Sequence, residues 1–362
     1  MTFEQCWHRV PGGTATAAID LAHELHRDPE LDVVGVAAWH RTFPSAPFRP
    51  PTPVQRLPLP RLALYEAWHV FRRPRVERAT GPVHVIHATG LAMPPRSAPI
   101  VLTVHDLTFL RYPEHFSRAG RRFFRQSMAL ARREADLILC SSLATLEDCR
   151  AAGFEPKRLR HVPLGVESVR ADANDVERVR RAYSLERPYI LWVGTMEPRK
   201  NLKGLIDAFG RLDIDVELVL VGPRGWKEDP RRLLDALPEH KRRLVRVLGF
   251  VPRTDLGPLY AGASVFCFPS LLEGFGFPVV EAMAQGTPVV TSRGTSTAEV
   301  SGNAGLLVEP LDPAEIAAAL QRLLTDQALA ERLRHAGPAR AAEYTWKRTA
   351  RLVKDAYREL AP

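Results

Sequence analysis

From residue 189 onward, short apolar runs rich in β-branched residues alternate with longer segments of helical spacing. The runs are YILWVGT (189–195), VELVLVG (216–222), VRVLGF (245–250), SVFCFPS (264–270), TPVVTS (287–292) and AGLLVEP (304–310). Between them, 201–212, 230–243, 254–262, 277–285, 295–300 and 313–335 carry apolar positions three and four residues apart. Strands alternating with helices predict a doubly wound parallel sheet covered on both faces. The first half repeats the plan with more interruption. Its strand candidates are 32–38, 53–59, 83–89, 99–106, 136–142 and 159–165, and its helical segments are 14–27, 61–79, 117–134 and 143–152. The Pro-rich stretch 43–60 cannot be interior helix and reads as a loop entering an edge strand. The first helix follows Pro11-Gly12-Gly13, so the opening strand is expected to be short or clipped. Residues 167–187 are polar and strand-poor and read as a linker, with a hinge near Gly165–Arg187.

At 362 residues and 40.4 kDa the chain suits two α/β domains rather than one core. These are expected at 1–166 and 167–344. No apolar run approaches the roughly 20 residues of a membrane span. The N-terminal residues lack the basic flank and apolar stretch of a secretory signal, so a cytoplasmic location is expected. Cys6, Cys140, Cys149 and Cys267 show no CxxC spacing, and the twelve His form no HxxxH or HExxH pair. Neither a metal site nor a disulfide is expected. Charge is uneven: residues 1–166 hold 22 basic and 15 acidic side chains, net +7, and the remainder 28 and 26, net +2. A basic first half fits an anionic surface or a phosphorylated acceptor. No aromatic residues interleave with the basic ones as nucleic-acid binding needs, so no nucleic-acid partner is expected.

Candidate chemistry concentrates in SLLEGFGFPVVEAMAQGTPVV (270–290). Glu273 lies on a loop directly after an apolar run, and Glu281 lies in the helix that follows. Gly274 and Gly276 allow close approach of backbone to a ligand, and the helix starting near Phe277 aims unpaired amide groups at the loop. Such a helix start attracts phosphate. Glu281, one turn in, can reach vicinal hydroxyls such as those of a ribose, and Glu273 another polyol. Arg199 and Lys200 follow a run ending in Gly194, at the strand end where α/β folds bind ligands. Two cations there can stabilise a leaving diphosphate. His105 ends the run PIVLTVHD, again at a carboxyl end, with Asp106 placed to orient its ring or to touch a second substrate. Asp213 and Asp215 spell D-x-D, but before a strand rather than after one, so they are not read as a metal site.

These strings, together with VPGG (10–13), VHDLTFL (104–110), VGTMEPRKN (193–201), LVGPRGW (220–226) and LGFVPRTDLGPLYAGA (248–263), resemble in order and spacing the retaining GT-B glycosyltransferases of family 4. The resemblance runs over nearly the whole chain. It implies two Rossmann-like domains facing a cleft, with residues 345–362 forming a helix that crosses back to the first domain. It implies Glu273 and Glu281 as the E-x7-E pair, with Phe275 and Phe277 inside that motif. It further implies Arg199 and Lys200 on the diphosphate and His105 beside the donor sugar. Gly12 and Gly13 are implied on the donor phosphate, and the backbone of Val251 and Pro252 on the nucleobase edge. Some relatives carry Arg where this chain has Thr195.

The expected activity is retaining, metal-independent transfer of a hexose from a nucleotide diphosphate sugar to a glycan, lipid-linked or small-molecule acceptor. GDP-mannose is the first expectation for the donor and a UDP-hexose the second. A non-catalytic nucleotide-sugar-binding protein is the alternative of another class. The segment 117–134 carries Arg118, Arg121, Arg122, Arg125, Arg132 and Arg133 beside Phe123, Phe124, Met128 and Leu130. That pattern suggests a helix resting on an anionic membrane surface.

Overall fold

The structure, a computed structural model, describes residues 1–8, 11–167, 169–223, 225 and 230–361. Val10, Arg224 and Trp226 of the quoted strings lie outside the described residues. The chain divides into two compact units, Met1–Gly165 with Thr345–Pro362, and Val166–Tyr344.

In the first unit, β1 (Gly35–Ala37) pairs in parallel with β2 (Val54–Arg56). β3 (Ile86–Ala88), β4 (Ile100–Val104), β5 (Leu137–Cys140) and β6 (Leu159–His161) form a parallel sheet in that order. The opening strand is reduced to a bridge between Thr2 and Val36. Thr2 N–H donates to the His87 carbonyl at 3.0 Å, Phe3 N–H to that of Val36 at 2.9 Å and Val36 N–H to that of Met1 at 2.8 Å, so three residues join the two sheets. β4 and β5 are buried throughout because helices cover both faces. One cover is the helix Trp346–Leu360, which packs Ala350, Val353 and Ala356 with Leu21, Leu25 and Val101. Its Tyr357 hydroxyl shares a 2.6 Å hydrogen bond with His87 Nδ1, and Lys354 pairs with Asp28 at 2.6 Å.

Two expectations for this unit need correction. The 61–79 segment is not one helix: Arg61–Glu66 runs into a π-helical turn, Ala67–Phe71, and a short helix returns at Glu77–Thr80. Arg72 adopts a left-handed conformation, with its guanidinium tied to the Met93 and Pro94 carbonyls, and Pro74 supplies no amide to carry the helix on. In the helix Arg118–Glu134, the apolar residues do not form an outer face. Met128 and Leu130 are buried, Phe124 stacks on Phe109 at 4.6 Å, and Phe123 packs on His69 and Tyr65. The domain core takes the stripe that a lipid surface would need.

The second unit is a six-stranded parallel sheet of β7 (Tyr189–Val193), β8 (Glu217–Val221), β9 (Val245–Gly249), β10 (Val265–Phe268), β11 (Val289–Ser292) and β12 (Gly305–Val308). Their order is β12-β11-β10-β7-β8-β9. The presumed linker contains a helix, Ala173–Ala182, capped by the Asp172 carboxylate on Asp175 N–H. Its buried Val179, and Arg178 and Tyr183 paired with Asp255, fasten it to the helix Arg253–Ala261. Low hydrophobicity misled because ion pairs and hydrogen bonds hold this helix. The 313–335 segment is two helices, Pro313–Thr325 and Gln327–Ala341, since Asp326 turns its carboxylate onto Leu329 N–H and starts a new one. The 230–243 segment is likewise two helices, Pro230–Leu234 and Glu239–Arg242, the second entered from Pro238 without a side-chain cap.

Candidate functional site

The strand order of the second unit reverses between β7 and β10, which are hydrogen-bonded neighbours (Ile190 opposite Val265, Leu191 opposite Phe266). Loops leaving the carboxyl ends of such a pair diverge to opposite faces and leave a crevice for a ligand. Arg199 and Lys200 follow β7 and Glu273 follows β10, so the sheet topology itself brings them together.

Arg199 is held from three sides. Its guanidinium pairs with Glu197 at 2.8 Å and with Glu273 at 2.9 Å, and donates to the Leu272 carbonyl at 2.9 Å. Its own carbonyl accepts from the Ser270 hydroxyl at 3.0 Å and from Leu271 N–H at 2.7 Å. The Ser270 hydroxyl, fully buried, also lies 3.0 Å from the Glu273 carboxylate, so its one proton is shared between that carboxylate and the Arg199 carbonyl. The two loops are thus cross-linked by charge-assisted bonds, which are stronger than neutral ones. Lys200 sits with its ammonium 5.4 Å from the centre of the Phe268 ring. Burial lowers its pKa, while Glu273, Glu197 and Glu281 oppose that shift. Gly194 leaves room for this side chain: a Cβ there would come to 2.8 Å of the Lys200 ammonium, which would have to shift.

The helix Phe277–Ala284 starts at Gly276, whose φ of +109° only glycine adopts readily. Ser296 fixes the preceding loop by donating to the Glu273 carbonyl at 2.7 Å. Phe275 is buried between Phe277 and Tyr344, so this part of the motif is structural. Glu281 accepts a 2.9 Å bond from the Tyr260 hydroxyl; burial and then Glu281 push that phenol well above its ordinary pKa, so it stays a donor. Val251 is buried and Pro252, exposed, caps the helix 253–261.

In the first unit, His105 follows β4 and its Nε2–H donates to the Thr89 carbonyl at 3.2 Å. Burial lowers its pKa, opposed by Asp106 and by that carbonyl, so the ring is neutral near pH 7. The His105 carbonyl accepts from Ser141 and Thr145 hydroxyls at 2.9 and 3.0 Å. Asp106 does not hold the imidazole as expected: its carboxylate accepts from Thr108 N–H at 2.9 Å and caps a short turn. Gly12 and Gly13 open the helix Gly12–His26.

Sequence reasoning passed over Glu197, Ser270, Tyr260 and Phe250. Glu197 stood inside the quoted GTMEPRKN string, and a carboxylate two residues from an arginine at a strand end was the available signal. Phe250, 71% exposed, lies beside the buried Val251. Asp215 pairs with Arg187 at 3.3 Å at the amino end of the sheet, away from these loops. Among the described residues no three His, Cys, Asp or Glu side chains gather as metal ligands. No helix among them is long and apolar enough to cross a membrane.

Solved structures share this architecture. The chain aligns with Anabaena HepE in complex with UDP-glucose at a TM-score of 0.77 and 21% identity, covering 97% of each chain. It aligns with WaaG, a glycosyltransferase involved in lipopolysaccharide biosynthesis, at a TM-score of 0.73 and 20% identity, covering 96% of each. Two parallel-sheet α/β units of this kind define the GT-B fold. Residues 11–170 match the model of Glycosyltransferase Family 4, and 175–340 that of Glycosyl transferases group 1. The O-antigen chain mannosyltransferase B of Escherichia coli is 34% identical over 287 residues, 76% of this chain and 74% of that protein. The serotype-specific mannosyltransferase WbdA of the same organism is 29% identical over 72% of this chain, which spans about a third of WbdA. The chain belongs to glycosyltransferase family 4 and is an enzyme of that family.

Proposed function

We propose that this glycosyltransferase moves mannose from GDP-mannose to a glycan acceptor with retention of configuration and without a metal ion. The observation that carries the reading is the pair Arg199 and Lys200 in the crevice between β7 and β10, with Glu273 facing them. The mannosyltransferase names of the similar proteins support the choice of sugar. In this reading the acceptor hydroxyl attacks the anomeric carbon on the face from which the diphosphate leaves. The sugar–phosphate bond breaks as the new glycosidic bond forms, and the acceptor proton passes to a departing phosphate oxygen. Arg199, Lys200 and the amides opening the helix 277–284 take up the growing charge. Glu273 and His105 bind sugar hydroxyls, Glu281 the ribose, the Val251–Pro252 backbone the base, and Gly12 and Gly13 the phosphate. Asp106 and Gly274 border these contacts. A peripheral membrane contact is better served by exposed Leu62, Val70 and Phe71 with Arg73 and Arg75 than by the 118–134 helix.

The test is a panel of nucleotide sugars read by thermal shift and by transfer, with and without excess EDTA. A bound donor raises apparent stability by mass action. GDP-mannose is expected to give the largest shift and transfer in EDTA. A shift and transfer confined to UDP-glucose would replace the mannosyl reading, and loss of activity in EDTA would overturn metal independence.

A further inference from the structure

The mechanism above makes no use of a ring cluster at the carboxyl edge of the first unit's sheet. Trp39 follows β1 and is 49% exposed, and Phe43, four residues on, is 45% exposed. Trp7 ends the 3-10 turn Glu4–Trp7 that follows the opening bridge. It stacks on His40 with centroids 4.8 Å apart and planes 11° apart, lies 6.1 Å from Phe43, and donates from its indole to the Thr42 carbonyl at 2.9 Å. His40 is fixed in turn. Its Nε2–H donates at 2.9 Å to Glu4, a carboxylate only 4% exposed whose other oxygen accepts from Ala38 N–H at 2.8 Å. Arg56 covers one face of Phe43 at 4.2 Å and donates to the His40 carbonyl at 2.8 Å. Rings that stay half in solvent contribute little to a core, yet a buried carboxylate and an arginine are spent on holding Trp7, His40 and Phe43 still, and Trp39 is the chain neighbour of the fixed His40. Such rigidity lowers the cost of binding a ligand.

The same turn reaches the neighbourhood of the reaction. Gln5 donates to the Thr89 hydroxyl at 2.6 Å, and the Thr89 carbonyl takes the His105 ring proton. Along the sheet edge the order is β1, the opening bridge, β3, then β4, so His105 and Trp39 stand three strand spacings apart, about 14 Å. A short oligosaccharide spans that distance.

We propose that Trp39, Phe43 and Trp7 form an acceptor subsite on which a pyranose ring of a glycan chain stacks, one or more sugars removed from the hydroxyl that reacts. The apolar C–H face of a pyranose matches an aromatic face, and exposed Arg41 and Arg49 offer donors to its hydroxyls. This rests on the glycan-acceptor reading above and gives that acceptor a minimum length.

Calorimetric titration of the full chain with manno-, gluco- and galacto-oligosaccharides of increasing length tests it without any donor, so the result does not depend on the identity of the nucleotide sugar. The unaltered chain is expected to bind the longer members of one series more tightly than its monosaccharide. Trp39→Ala and Phe43→Ala should each reduce that gain about tenfold, one tenfold step being about 1.4 kcal/mol. Both positions are half exposed, so the fold tolerates the changes, which a melting curve checks. No gain with length in any series, or a gain that survives the double variant, overturns the proposal. So does a Trp39→Ala variant that loses binding to anionic vesicles while keeping its oligosaccharide affinities, because the rings would then be a membrane contact.

Discussion

The two units hold their candidate residues by opposite means. In the second, charges hold charges: Arg199 bridges Glu197 and Glu273, and Lys200 lies within reach of three carboxylates. In the first, His105 is held by a backbone carbonyl through its ring and by two hydroxyls through its own carbonyl, and burial keeps it neutral. A pre-paired ionic site suits a ligand whose charge changes during reaction, because its dipoles need little rearrangement. A neutral, hydrogen-bonded site suits a sugar.

Removing the cations strikes that contrast hardest. Lys200→Ala and Arg199→Ala are each expected to lower turnover about 100-fold, as loss of one charge-stabilising donor does; a double variant with retained turnover would end the assignment. The pair should differ in stability. Arg199→Ala removes an ion-pair partner of the buried Glu197 and costs roughly 3 kcal/mol, whereas Lys200→Ala relieves a partly desolvated charge, a difference that denaturant melts resolve.

Next in size is the split between the glutamates. Glu281→Gln should weaken free GDP and GDP-mannose alike, by about tenfold for one charged hydrogen bond. Glu273→Gln should spare or slightly tighten GDP, since it removes a carboxylate that competes for Arg199, while transfer is lost. Titration of both ligands into both variants decides it, and the reverse pattern would exchange the two roles.

A smaller effect concerns pH. The Lys200 pKa is lowered, so its ammonium loses its proton at a lower pH than a free lysine, and GDP affinity should fall as pH rises through that value. The alkaline limb should vanish in Lys200→Met. His105, also lowered, should leave transfer flat from neutral pH down to below the usual histidine range. The smallest effect is expected at the membrane: Arg122→Ser and Arg125→Ser should change binding to anionic vesicles little, because Arg122 already pairs with Glu66 at 2.6 Å and the neighbouring rings face inward. Vesicle binding abolished by these two changes would restore the helix as the docking element.

The second unit was largely legible because its strands are continuous apolar runs and its helices begin at recognisable caps. Glu273, Arg199 and Lys200 could be read for the same reason, each a few residues beyond a run that cannot be anything but strand, and Glu281 through the glycine-led helix that follows. Partners brought in by folding could not be read. Ser270 looks like any loop serine, and Tyr260 reaches Glu281 from another helix. In the first unit the opening strand amounts to one bridge, too short for any periodicity. The 118–134 segment misled because arginine on one side and phenylalanine on the other describe a core-facing helix as well as a lipid-facing one; only its neighbours, Phe109 and His69, distinguish the two.

The helix Trp346–Leu360 has a consequence for biosynthesis. It completes the unit begun at the other end of the chain, seating Ala350, Val353 and Ala356 among Leu21, Leu25 and Val101. A ribosome must therefore make the 179 residues from Val166 to Tyr344 before the first unit receives its last cover. At about 5–20 residues per second that is roughly 10–35 s. Throughout that interval the second unit can emerge and fold, while the older segment waits with an apolar face open. Chaperone binding to a stalled nascent chain should accordingly map to the face around Leu21, Leu25 and Val101, although those residues left the ribosome first.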